Sequence, residues 1–337
     1  MLAAIGSFAE IPERVMNTFV NKSVNDNGIY AMNFYRLGVP NTVVIDDYLA
    51  LVDGQDRTLY ANLSEDNGLW GPFIEKGFAK FYGNFQHIIG GNPNDAVEIL
   101  NGSPTAKYYH THKYNDKRAD EVVVPMEDRL SAEEVFEKMS KADPKNAIMT
   151  AVTEISGSDE HTLPNGINKS HAYSVLRAFE LKSTGDKLVE IRNPWGKGLY
   201  EDDNGYIGKW HDNDERWTEA LKKEANYDPK NEGIFMMDYK EFHESFTEVM
   251  INPSTLYWHQ DYFLKLGDTK NENGRTKHTV TIENAHKDKQ AVHFGAHTYQ
   301  DYGYGKSSSC NYADSKHTVC LGSTCEEFKY GARWLPT

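Results

Sequence analysis

The 337 residues carry 36 basic and 50 acidic side chains, a formal net charge of −14, with 39% hydrophobic and 12% aromatic residues. That composition excludes disorder and fibrous repeats and predicts a folded chain of two domains, or three. The acidic balance lacks the positive footprint that nucleic acid or an anionic membrane surface would need, and no apolar run approaches the ~18 residues of a membrane span, so a soluble chain is expected.

In chain order, residues 1–15 read as helix, with Leu2, Ile5, Phe8 and Ala9 on one face. The apolar start has no basic leader, so its pattern is that of a buried helix interior, not of a signal peptide. Residues 30–37 and 42–46 alternate β-branched or aromatic with polar residues and predict paired strands, and Asp53-Gly54 predicts a turn. Over 69–82, Trp70, Phe73, Ile74, Phe78 and Phe81 form a wide apolar stripe on a helix, with Glu65, Asp66 and Asn67 as its capping side chains. Gly90-Gly91-Asn92-Pro93 breaks that pattern, and the polar stretch 101–117 marks a boundary. Ser131 and Glu134 have the spacing of a capping box, with Val135, Phe136 and Met139 on the buried face that follows. Segments 147–155, 171–181 and 188–192 are strand-like, and 238–249 predicts a helix capped by Asp238 with Phe242 and Phe246 inward. Beyond 253 the alternation at 279–282 and 290–299 predicts a short β domain.

Among thirteen histidines, His171 stands out by its frame. It opens a strand-like segment in Ser170-His171-Ala172-Tyr173-Ser174-Val175, and Ile191-Arg192-Asn193-Pro194-Trp195-Gly196 follows after the next strand. Two adjacent antiparallel strands would set His171 beside Asn193. A cysteine protease needs such a pair, because the imidazole must deprotonate a thiol and an amide oxygen must fix its tautomer. Trp195 would shield that bond from water.

With Tyr206 to Asp212 (YIGKWHD), the 69–85 stretch LWGPFIEKGFAKFYGNF and the 231–249 stretch NEGIFMMDYKEFHESFTEV, these blocks resemble the calpain family of papain-like cysteine proteases. The resemblance implies an α+β fold: a two-lobed papain-like core, helical over 1–102 and β-rich over 103–252, followed by a C2-like β-sandwich over 253–337. It implies His171 as the catalytic histidine, Asn193 as its orienting residue and Trp195 as the shield. It also implies a calcium-dependent intracellular endopeptidase, with protein substrates. The family's Gln-Gly-x-Cys-Trp block would fall just before Met1-Leu2-Ala3-Ala4, so both the nucleophile and the oxyanion glutamine are expected outside this sequence, which by itself should not cleave peptides. The alternative is a catalytically dead calpain-like scaffold in a cytoskeletal or ciliary assembly, and in either case a cytoplasmic location.

Calcium prefers six to eight oxygen ligands. Glu201, Asp202, Asp203, Asp212, Asp214 and Glu232 offer carboxylates near one loop, with Asp212, Glu232 and Asp202 as the candidate ligands; a plain solvated acidic loop is the competing explanation. EF-hand spacing fails at Tyr200, and Gly205 and Ile234 stand where the family usually has carboxylates. Asp95 or Glu98 would serve a second site. Cys310, Cys320 and Cys325 match no zinc spacing and are too few for a secreted disulfide framework, so a reducing compartment is expected. His110 and His112 read as exposed loop residues, and Asp46-Asp47 as a turn. Gly196-Lys197-Gly198 lacks the third glycine of a dinucleotide loop. Tyr299, Tyr302 and Tyr304 are an aromatic patch for an interface or for turn packing.

Overall fold

The computed structural model describes residues 1–254 other than 37, 56, 65, 104, 111–129, 143–144, 155–157, 160, 197–204 and 228–232, and beyond 254 the backbone of four short strands. Two helices stand where one was expected: α1 (Leu2–Phe8) and α2 (Pro12–Thr18). Pro12 occupies the first turn of α2, where its missing amide hydrogen breaks no helical bond, whereas inside one long helix it would. Glu10, in the break, pairs with Arg192 at 2.5 Å.

The first packing unit joins these helices to the hairpin β1 (Ile29–Arg36) and β2 (Val39–Asp46), whose register runs from Ile29↔Asp46 to Arg36↔Val39. Helix α3 (Trp70–Tyr82) lays Phe73, Ile74, Phe78 and Phe81 on the hairpin, with the Phe34 and Phe78 rings 5.0 Å apart. Each such buried side chain stabilises by about 1.5–3 kcal/mol. Of the expected caps, Glu65 lies outside the described residues, and Asp66 and Asn67 do not cap the helix. Leu69 holds the N-cap position, and Asp66 instead accepts from Ser64 Oγ and the Gly68 amide, closing its own turn. Helix α4 (Pro93–Asn101) is capped by Asn92 and ends at Gly102, φ 75°, in the left-handed conformation that favours glycine.

The second unit is a six-stranded antiparallel sheet, in which β3 (Ala106–Tyr109), β8 (Phe246–Pro253), β4 (Ala147–Thr153), β5 (Ala172–Glu180), β6 (Lys187–Arg192) and β7 (Ile234–Asp238) are neighbours in that order. Helix α5 (Ala132–Lys141) opens with the anticipated capping box: the Glu134 amide donates to Ser131 Oγ at 3.2 Å and the Ser131 amide to Glu134 Oε2 at 2.8 Å. Two expectations change here. Strand β3 lies inside the stretch read as a boundary loop, and helix α7 (Tyr239–Ser245) stops before Phe246, which turns extended. The reason is pairing: β8 bonds to both β3 and β4, so its apolar and β-branched residues gain more as a central strand than as a last helical turn.

Helix α1 crosses β4 and β5 at close range. Ser174 Oγ donates to the Ala3 carbonyl at 2.7 Å and the Met149 amide to Ser7 Oγ at 3.2 Å. A Cβ at Gly6 would stand 2.7 Å from Ser174 Oγ, so only glycine admits this approach. A third cluster gathers Trp210, Trp217, Tyr227 and Leu188 on the far side of β6 and β7, next to α6 (Glu219–Ala225).

Past 254, β9 (His293–Ala296) pairs with β12 (Gly331–Trp334), and β10 (His317–Leu321) with β11 (Thr324–Phe328). Among the described residues these remain two separate ladders and do not close into a sandwich. Residues 279–282 and Tyr299, Tyr302 and Tyr304 lie outside the described residues.

Candidate active site

His171 precedes β5, and its backbone is held on both sides. Its amide donates to Thr153 Oγ1 at 3.0 Å, and its carbonyl accepts from the Thr153 amide at 3.0 Å. Ser170 before it has φ 48°, a conformation costly for a residue with a Cβ and characteristic of positions the surrounding structure forces. Antiparallel pairing of β5 with β6 sets Ser174 opposite Arg192, which brings Asn193 to the imidazole.

The two side chains meet at 3.0 Å, His171 Nε2 to Asn193 Oδ1. The same oxygen accepts from the Trp195 amide at 3.2 Å. An amide oxygen bears no hydrogen and can only accept, and the Trp195 amide bond identifies this atom as the oxygen; the neutral imidazole therefore carries its proton on Nε2, leaving the Nδ1 lone pair for another partner. Asn193 is 1% exposed; its amide donates to the Gly233 carbonyl at 2.8 Å and its carbonyl accepts from Gly196 at 3.0 Å. The Trp195 ring lies 4.4 Å from the imidazole centroid and is 37% exposed, covering the His–Asn bond from one side, while Tyr173 presents an edge at 4.8 Å.

Burial lowers the His171 pKa below its ordinary value of 6.5, and the Asn193 bond and Asp159 oppose that shift. That shift favours the neutral ring, the state a general base requires. Glu75 is a buried carboxylate on α3 that accepts from the Ala61 amide at 2.8 Å, and burial raises its pKa.

Residues 1–252 match the sequence pattern of the calpain family cysteine proteases. The chain belongs to the calpain family. It is 27% identical to the calpain-type cysteine protease ADL1 of Oryza sativa subsp. japonica and 28% identical to DEK1 of Arabidopsis thaliana, in each case over 74% of this chain and 11% of the relative. With the calpain-2 catalytic subunit of Mus musculus it shares 30% identity over 76% of this chain and 35% of the relative. The chain thus spans about a tenth of the plant relatives' length.

Of the carboxylates considered for calcium, Asp212, Asp214 and Glu98 are described, and each already accepts hydrogen bonds within the chain. Asp214 is 8% exposed and accepts from the Trp210 amide at 2.7 Å, the Arg216 amide at 2.9 Å and Arg216 Nη1 at 2.9 and 2.7 Å. Burial pushes its pKa up, but these donors prevail and hold it below the usual carboxylate range. Asp212 accepts from the Tyr227 hydroxyl, and burial beside that carboxylate pushes the phenol pKa strongly upward. Glu98 is bonded to the Thr105 amide at 3.0 Å. Among the described residues no three metal-ligating side chains converge. Asp202, Glu232, Glu201 and Asp203 lie outside them.

His110 overturns its exposed reading. It is 0% exposed, with Nδ1 2.7 Å from the Phe246 carbonyl and its ring 4.4 Å from His243, because β3 pairs with β8 and carries the imidazole beneath α7. His112 lies outside the described residues. Asp46 ends β2, where its carboxylate accepts from the Lys76 ammonium and from the Tyr48 amide.

Two contributors escaped the sequence. Thr153 is an ordinary strand residue whose role appears only through the β4–β5 register. Gly233 has φ 78°, and a Cβ there would stand 2.8 Å from the Gly196 carbonyl carbon and 3.0 Å from the Asn193 backbone carbonyl oxygen. A glycine just before a strand was the available signal.

Proposed function

We propose that residues 1–252 supply the acid–base half of a papain-like calpain endopeptidase site. His171 Nδ1 would take the proton of a thiol and return it to the leaving amine; Asn193 would hold the ring, and Trp195 would keep water from their bond. The observation that carries this is Asn193 Oδ1, which accepts from His171 Nε2 and the Trp195 amide together and so fixes the tautomer the reaction needs.

The three cysteines of the sequence, Cys310, Cys320 and Cys325, all follow the family match, and none can be the nucleophile of a helix that faces His171. This chain by itself is inactive in that reading. The same observation favours a second reading, a calpain-like interaction module with no turnover, in a cytoskeletal or other cytoplasmic assembly. The three-part division at 102 and 252 and a C2-like third domain belong to both readings. Calcium held by Asp212, Asp202 and Glu232 is a proposal under either reading, supported by the carboxylates the sequence gathers near one loop.

A thiol-directed epoxysuccinyl peptide applied to the endogenous polypeptide separates the readings, because it alkylates a thiolate held beside an imidazole. The protease reading expects one labelled cysteine that is none of these three, with casein cleavage lost in His171→Ala. The module reading expects no labelling and no cleavage. Labelling of Cys310, Cys320 or Cys325 that depends on His171 overturns both.

A further inference from the structure

Strands β10 and β11 are joined through only two residues, Gly322 and Ser323, because Leu321 pairs with Thr324. Glycine at the first central position is what a type II′ hairpin turn requires, so the local sequence independently favours this register. The next rung pairs Cys320 with Cys325. In an antiparallel ladder, hydrogen-bonded and non-hydrogen-bonded rungs alternate. The rung flanking a two-residue turn is the bonded kind, and the one after it is a non-hydrogen-bonded pair with Cα atoms about 4.5 Å apart. Residues directly opposite share one face of the ladder. Disulfides span Cα separations of about 4.4–6.8 Å, a range that includes the spacing of such a rung.

We infer that Cys320 and Cys325 form a reversible intrachain disulfide across the β10–β11 hairpin, with Cys310 left as a thiol. A low-molecular-weight disulfide such as oxidised glutathione is the oxidant. One cysteine thiolate attacks a glutathione sulfur and expels one glutathione thiolate; the second cysteine thiolate then attacks the mixed disulfide and expels the other. One S–S bond breaks and one forms. The two cysteines give up two electrons and two protons, which leave as two molecules of glutathione. In a reducing compartment the pair stays a dithiol, and rising oxidised glutathione closes it, which pins the strand register at a rung next to the turn.

Equilibrating the full chain in glutathione buffers of increasing oxidised fraction, blocking free thiols with N-ethylmaleimide and digesting with trypsin tests this directly. The peptide from His317 to Lys329 contains both cysteines and no internal cleavage site. The expected result is an unblocked peptide lighter by two hydrogens, a blocked Cys310, loss of the light species in Cys320→Ser, and a higher oxidised fraction needed to form it in urea. Blocking of both cysteines under oxidising conditions, stable glutathione adducts on the pair, a disulfide to Cys310, or identical behaviour in urea overturns it.

Discussion

Replacing Asn193 by alanine strips one oxygen from two donors at once, the His171 ring at 3.0 Å and the Trp195 amide at 3.2 Å. A buried donor left without an acceptor costs about 1–3 kcal/mol. His171 and Trp195 are both partly exposed and regain some water, but the fully buried amide also leaves a small cavity, so Asn193→Ala is expected to lose about 2–4 kcal/mol in all. Urea unfolding followed by tryptophan fluorescence measures this, with an unchanged slope against urea if the loss is local. The same substitution removes a bond that raises the His171 pKa, so the imidazole should titrate at lower pH than in the parent, whereas Asn193→Asp places a carboxylate there and should move the midpoint upward. A destabilisation below about 0.5 kcal/mol, or midpoints moving in the reverse order, would refute the argument.

Gly233→Ala forces a Cβ onto a residue at φ 78° and into the Asn193–Gly196 turn, and should cost about 2–4 kcal/mol in the same unfolding assay. Because burial lowers the folded-state pKa of His171, its contribution to stability is complete above the unfolded value near 6.5 and is lost as pH falls through the folded value. Unfolding free energies across that window should therefore decline toward acid, and less so in His171→Gln. Arg216→Met leaves Asp214 without its guanidinium; with Arg216 55% exposed the loss should be about 1 kcal/mol at pH 7. That loss should shrink as Asp214 protonates at acid pH, since a depressed carboxylate stabilises only above its folded pKa. Ser131→Ala removes the α5 cap and should cost about 1 kcal/mol by urea titration.

The His171–Asn193 adjacency was legible because it is nearly local: two strand-like segments joined by a short turn must pair, and the histidine precedes one strand while the asparagine follows the other. The capping box and the α3 stripe were legible for the same reason, as they depend on residues within one helix. What failed depends on distant partners. Phe246 continues the helical spacing from Phe242, and only the simultaneous demand of β3 and β4 for a neighbour makes it a strand residue. His110 is polar in a polar stretch until that pairing buries it. Pro12 is a different case, a local break signal outweighed by the apolar periodicity on either side. The carboxylates of Asp212 and Asp214 offered a ligand count, while their commitment to Tyr227 and Arg216 is a matter of geometry that spacing does not carry.

The central claim is that Asn193 holds the His171 imidazole with its proton on Nε2 and its lone pair on Nδ1. Long-range nitrogen–proton correlation NMR of the imidazoles in the full chain, titrated from neutral to acid pH, tests it most directly. The account predicts for His171 a neutral Nε2–H tautomer at pH 7, a midpoint below 6.5, and loss of the tautomer preference in Asn193→Ala. A neutral Nδ1–H tautomer, or a preference that Asn193→Ala leaves untouched, would contradict it.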